Sequence, residues 1–66
     1  MTQKQSLPEL LTVQEVAELL RTSVPQVRQM THAKKIPYIK IGRSVRFDKA
    51  ALIEWLDAKR VHPRKN

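Results

Sequence analysis

The chain contains no cysteine in its 66 residues. That excludes disulfides, thiolate metal sites and a thiol nucleophile. Its two histidines, His32 and His62, are too few for an all-histidine metal site. With one glycine there is no glycine-rich phosphate loop. One each of Phe, Trp and Tyr leaves little for an aromatic platform that stacks single-stranded bases. No apolar run approaches the roughly 20 residues of a membrane span, and MTQKQSLPEL lacks the apolar stretch of a signal peptide. The expected location is therefore cytoplasmic, without a membrane partner. Glu15 and Glu18 are the only carboxylate pair with a catalytic look. Both fall in a helix, as a cap and a solvent-facing residue, with no nucleophile or ligand set beside them. Neither catalysis nor a cofactor or metal is expected.

Acidic residues are also scarce, at six against thirteen Lys and Arg, for a formal charge of +7. The imbalance is local. Residues 1–20 hold one lysine against three glutamates, a net of −2. Residues 21–49 hold Arg21, Arg28, Lys34, Lys35, Lys40, Arg43, Arg46 and Lys49 against Asp48 alone, a net of +7. Residues 50–66 add +2. A middle segment that carries the whole net charge points to a polyanionic partner, most often nucleic acid. The 41% hydrophobic fraction argues for a folded chain and not a polybasic tail. A single small domain is expected, burying only about 60% of the surface its unfolded chain exposes.

Residues 1–10 carry Pro8 and no periodicity, and read as a flexible arm. Val13, Val16, Ala17 and Leu20 then recur at helical spacing, with Thr12 and Glu15 forming a capping box and Leu11 stapling onto Val16. This predicts a helix over about 13–20. Ser23 and Gln26 repeat the cap before a second helix at about 24–33, in which Val24, Val27, Met30 and Thr31 share one face. Pro37 forces Ile36 toward extended backbone. Alternation follows, with Ile39, Ile41, Val45 and Phe47 read as inward and Tyr38, Lys40, Ser44 and Arg46 as outward around a Gly42-Arg43 turn. Asp48 caps a third helix at about 49–60, where Leu52, Trp55, Leu56 and the stem of Lys59 share a face. Residues 61–66 read as a basic tail.

The order helix, helix, β-hairpin, helix gives an α+β, mostly α, winged helix-turn-helix over residues 11–60. Its expected core is Val13, Val16, Ala17, Leu20, Val27, Met30, Ile36, Ile39, Ile41, Val45, Phe47, Leu52, Trp55 and Leu56. Opposite the apolar stripe of the second helix, Pro25, Arg28, Gln29 and His32 form a candidate reading face. Arginine can bond bidentately to guanine O6 and N7, and glutamine to adenine N6 and N7. Thr22, Ser23 and Gln26 stand at the helix start, where short polar side chains and free N–H groups can hold a phosphate. Arg43 at the hairpin tip, with Lys40, Ser44 and Arg46 on one side, is the candidate wing. A solvated helix face and charged edge strands are the bland alternatives.

The stretches LLTVQEVAELL, TSVPQVRQM, KIPYIKIGRSVRF and DKAALIEWL resemble the excisionase-type winged-helix DNA-binding domain, allied to the DNA-binding heads of MerR-like regulators. The resemblance covers about residues 10–58. It implies binding to double-stranded DNA and an integrase or recombinase as partner in excision. One domain of this size covers only a few base pairs, so contact between copies on adjacent sites is expected. Such proteins are encoded by bacteria or phages and are associated with the nucleoid. AlpA-like transcriptional regulators belong to the same group. A protein-interaction module, its basic face meeting an acidic partner, is the alternative of another class. Family members often carry glycine where this chain has Arg21 and Lys34, so strained or differently shaped turns are expected there.

Overall fold

In the computed structural model, which describes residues 7–61, the chain runs β1 (Leu10–Leu11), α1 (Val13–Leu19), α2 (Val24–His32), β2 (Ile39–Ile41), β3 (Ser44–Asp48) and α3 (Lys49–Ala58). Each helix begins where its cap predicts. Thr12 N–H donates to Glu15 Oε1 (2.8 Å) and Glu15 N–H to Thr12 Oγ1 (3.2 Å), a complete capping box. Ser23 Oγ accepts from Gln26 N–H at 3.2 Å, and Asp48 Oδ1 from Ala50 N–H at 3.1 Å. Thr31, on the inner face of α2, turns its hydroxyl back onto Val27 O (2.8 Å) and so needs no other partner.

The first two helices end alike. Arg21 N–H donates to Glu18 O and Thr22 N–H to Ala17 O. Lys34 N–H donates to Thr31 O and Lys35 N–H to Met30 O. Both are Schellman motifs, which place the residue after the cap in the left-handed region. Arg21 stands there at φ 55° and Lys34 at φ 57°. The turns thus keep the shape that suits glycine and accept the strain of a side chain. Left-handed backbone costs an L-residue about 1–2 kcal/mol.

The sheet is antiparallel, in the order β1-β3-β2. Strand β1 is an addition to the expected fold: Leu10, assigned from sequence to the arm, pairs with Asp48, and Leu11 with Phe47. Glu9 O also accepts from Lys49 N–H at 2.9 Å. The chain is therefore tied down from Glu9 onward. Residues 1–6 of the proposed arm and residues 62–66 of the basic tail lie outside the described residues.

Seven side chains make the buried core: Leu11, Val16, Ala17, Val27, Ile36, Phe47 and Leu52. Val13, Leu20, Met30, Val45 and Trp55, expected as core, pack against it half-buried, joined by Val24 and Tyr38. Ile39, Ile41 and Leu56 do not belong to it and are exposed. For the isoleucines the reason is register. Gly42, at φ 61°, opens a two-residue turn, with Ile41 opposite Ser44, Lys40 opposite Val45 and Ile39 opposite Arg46. Opposed residues share a face, so an even loop sets odd positions against even ones. Ile39 and Ile41 therefore stand with Ser44 and Arg46, and Lys40 with Val45 and Phe47. The expected faces of β2 are reversed.

Trp55 is a tie as well as a packing residue. Its Nε1–H donates to Lys35 O at 2.8 Å, joining α3 to the segment between α2 and β2, and Lys59 Nζ lies 5.4 Å from its ring centroid. Phe47 is the largest fully buried side chain among the described residues. Its truncation, Phe47→Ala, should cost about 3–5 kcal/mol. A core of this size rarely supplies more than about 3–5 kcal/mol in all. Thermal melts followed by circular dichroism should show no cooperative transition for that variant above 25 °C, while the parent melts cooperatively.

Candidate nucleic-acid interface

Helix α2 points its apolar stripe inward and leaves Pro25, Arg28, Gln29 and His32 exposed. The hairpin rises from the far end of the same helix. Between them lies a groove of about 580 Å³. Its walls come from the start of α1 (Thr12, Val13, Gln14), the second half of α2 (Arg28, Thr31, His32), Lys34, and the hairpin (Tyr38, Lys40, Arg43, Val45, Arg46). Five of these residues are lysine or arginine and none is acidic. Among the described residues the ion pairs are Lys49–Glu9 and Arg60–Asp57, both outside the groove. Among the described residues no acidic side chain lies within 4.0 Å of the charged nitrogens of the groove.

Of the residues singled out from sequence, Arg28, His32, Lys40, Arg43 and Arg46 meet in this groove. Thr22, Ser23, Pro25 and Gln26 stand exposed at the start of α2 and do not line it, and Gln29 is exposed beside Arg28. Ser44 stands on the other face of the hairpin, opposite Ile41. The expected grouping of Lys40 with Ser44 and Arg46 on one side is thus corrected. Lys40 reaches the groove because register turns it the same way as Val45, toward the helices. Arg46 starts from the opposite face, yet its Nη1–H donates to Val45 O at 2.9 Å, and the half-buried side chain borders the groove. One of its five donors is thereby used within the protein and the others remain.

Sequence reading passed over Lys34, Tyr38, Thr12 and Gln14. For Tyr38 and Lys40 a signal existed: counting across the two-residue turn assigns them to the face of Val45. For Lys34 the signal was the cation itself, standing at a position that favours glycine. Thr12 and Gln14 had none, since only tertiary packing brings the first turn of α1 beside the hairpin.

What this arrangement can do is hold an extended anion. A short helix offers hydrogen-bonding side chains from one wall. The other wall supplies charge from a hairpin whose tip, Gly42-Arg43, is exposed. The described residues contain no helix long and apolar enough to cross a membrane.

Comparison with known proteins agrees with this geometry. Residues 10–60 match a family described as "Helix-turn-helix domain". Two relatives from Mycobacterium tuberculosis, one from strain CDC 1551 / Oshkosh and one from strain ATCC 25618 / H37Rv, both carry the name "Putative DNA-binding protein". Each is 37% identical over 54 residues, which is 82% of this chain and 69% of the relative. No solved structure matches the chain significantly. The family match takes in both helices, the hairpin and α3, and the chain belongs to the helix-turn-helix domain family.

Proposed function

We propose that this domain binds double-stranded DNA with sequence preference, laying α2 in the major groove and the hairpin along the backbone. The observation that carries the reading is the groove itself: five unneutralised cations converge from α2, its C-terminal turn and the hairpin, without an acidic residue among them. In this docking Arg28 and Gln29 face base edges. Thr22, Ser23, Gln26 and His32 contact the sugar–phosphate backbone, with Pro25 against it, while Lys40, Arg43 and Arg46 follow the flanking strand. The chemistry is recognition, with no reaction catalysed and no cofactor or metal required.

The role we favour is that of a recombination directionality factor of a mobile element, which bends attachment-site DNA and steers an integrase toward excision. A module of this size covers about 600–1,000 Å² of interface, too little for high selectivity alone. Among the described residues the longest helix, α3, has ten residues, and no heptad pattern offers a coiled-coil seam. Selectivity then comes from copies on adjacent sites, whose small bends add up. An AlpA-like transcriptional regulator is the second reading, with the same docking and a promoter as target. Either role places the protein with the bacterial nucleoid.

Three measurements test these statements. The logarithm of the binding constant should fall linearly with that of salt concentration, by about 0.9 per phosphate neutralised. Arg43→Ala and Lys40→Ala should each weaken binding to all sequences alike and flatten that slope by about one unit. An unchanged slope in both would remove the hairpin from the contact surface.

Reading and holding separate in a second set of variants. Arg28→Ala and Gln29→Ala should each cost about 1–3 kcal/mol on the preferred site and relax base preference there. Both side chains are exposed, so the melting temperature should stay within a few degrees of the parent. Selection from random duplexes reads the outcome. The same motif from Arg28→Ala as from the parent would show that α2 does not read bases through that residue.

The architectural role predicts a free monomer in sedimentation and cooperative filling of directly repeated sites. Gel mobility should also depend on where those sites lie within the fragment, as bending requires. A free dimer on one palindrome, without that positional dependence, would favour the regulator.

A further inference from the structure

Lys34 lies at the meeting point of two independent observations. Its backbone is left-handed at φ 57°, closing the Schellman motif of α2. Its side chain is exposed and lines the basic groove with Arg28, Lys40, Arg43 and Arg46. Glycine relieves the first condition and forfeits the second. A sequence under no demand but stability places glycine at such a position. A cation near a helix C-terminus does gain from the helix dipole, but that gain is smaller than the cost of left-handed backbone. Strained residues persist where function holds them, and here the strain and the basic groove coincide.

We propose that Lys34 is an anion contact of this groove, holding a DNA phosphate beside the C-terminal end of α2, and that the domain gives up folding stability to keep it. The inference rests on the DNA-binding reading and adds a contact to it. The residue sits between the reading helix and the hairpin: one residue, Ala33, separates it from His32, and the carbonyl of Lys35, the next residue, accepts from Trp55 Nε1–H. An ammonium there meets the backbone where the chain passes from one wall of the groove to the other, and helps to set the register of α2 along the duplex.

Arg21 supplies the internal comparison. It shares the motif and the conformation, at φ 55°, and is exposed, but it does not line the groove. Both Lys34→Gly and Arg21→Gly should therefore raise the melting temperature, by about 4–8 °C for each kcal/mol of strain relieved in a domain of this size. On duplex DNA the two should part. Lys34→Gly should bind every sequence roughly five- to tenfold more weakly at low salt, with the log–log salt slope reduced by about 0.9. Arg21→Gly should keep the parental slope. Lys34→Asn, which tolerates the left-handed region without a charge, should behave as Lys34→Gly on DNA, and Lys34→Arg should restore the slope. The experiment pairs thermal melts with fluorescence-anisotropy titrations of a labelled duplex at several salt concentrations. Parental affinity and slope in Lys34→Gly would overturn the assignment. So would an equal loss of slope in Arg21→Gly, which would reduce the effect to net charge. Failure of the parent protein to bind duplex DNA would instead remove the DNA-binding reading beneath it.

Discussion

Phe47 is the side chain on which the rest of the molecule depends. It occupies the middle strand of a three-stranded sheet, fully buried, with Leu11 directly opposite on β1. Strand β3 also pairs along its other edge with β2 and packs against α1 and α3. One residue thus connects the hairpin to the helices. The tip that carries Arg43 is tied to the helices through the strand behind it, whose Phe47 is buried and whose Val45 packs against the core. A loose hairpin with the same charges would attract an anion equally at long range, but it would hold none in place.

Around that anchor the protein accumulates features that work against its own stability. Five cations share a groove with no acidic neighbour, and their mutual repulsion opposes folding. Two non-glycine residues close helices in left-handed backbone. Two isoleucines face water on β2. Natural sequences break local rules of this kind at functional sites, where another demand outweighs them. The cations and the strain at Lys34 fall within one groove, and the strain at Arg21 falls outside it. The isoleucines have a plain account. The even turn that brings Lys40 to the groove side must turn Ile39 and Ile41 away from it.

The helices were legible because their signals are local. A cap and its partner lie three residues apart, so Thr12 with Glu15 and Ser23 with Gln26 mark their starts without knowledge of the fold. The sheet was legible only in part. Alternation marks both strands of the hairpin, yet apolar character misleads on their faces, because across an even turn residue parity decides which side a residue takes. Ile39 and Val45 look equivalent in sequence and lie on opposite faces. Strand β1, with two residues, has no alternation to read; it exists because Phe47 needs a partner and Leu11 is at hand. The site divides in the same way. Arg28, His32 and Arg43 announce themselves by type and place, whereas Thr12 and Gln14 join only once the chain has folded back.

The single tryptophan has one more consequence. Trp55 is half-buried, and its indole N–H is bonded to the carbonyl of Lys35, midway between α2 and the hairpin. Indole emission responds to the polarity and hydrogen bonding around the ring. The protein therefore carries its own optical probe at the joint between α3 and the segment that leaves α2. Loosening of α3 from the end of α2 breaks that bond while the far-ultraviolet signal of the helices persists, so the intrinsic emission of this protein distinguishes a shifted third helix from an unfolded chain without any attached label.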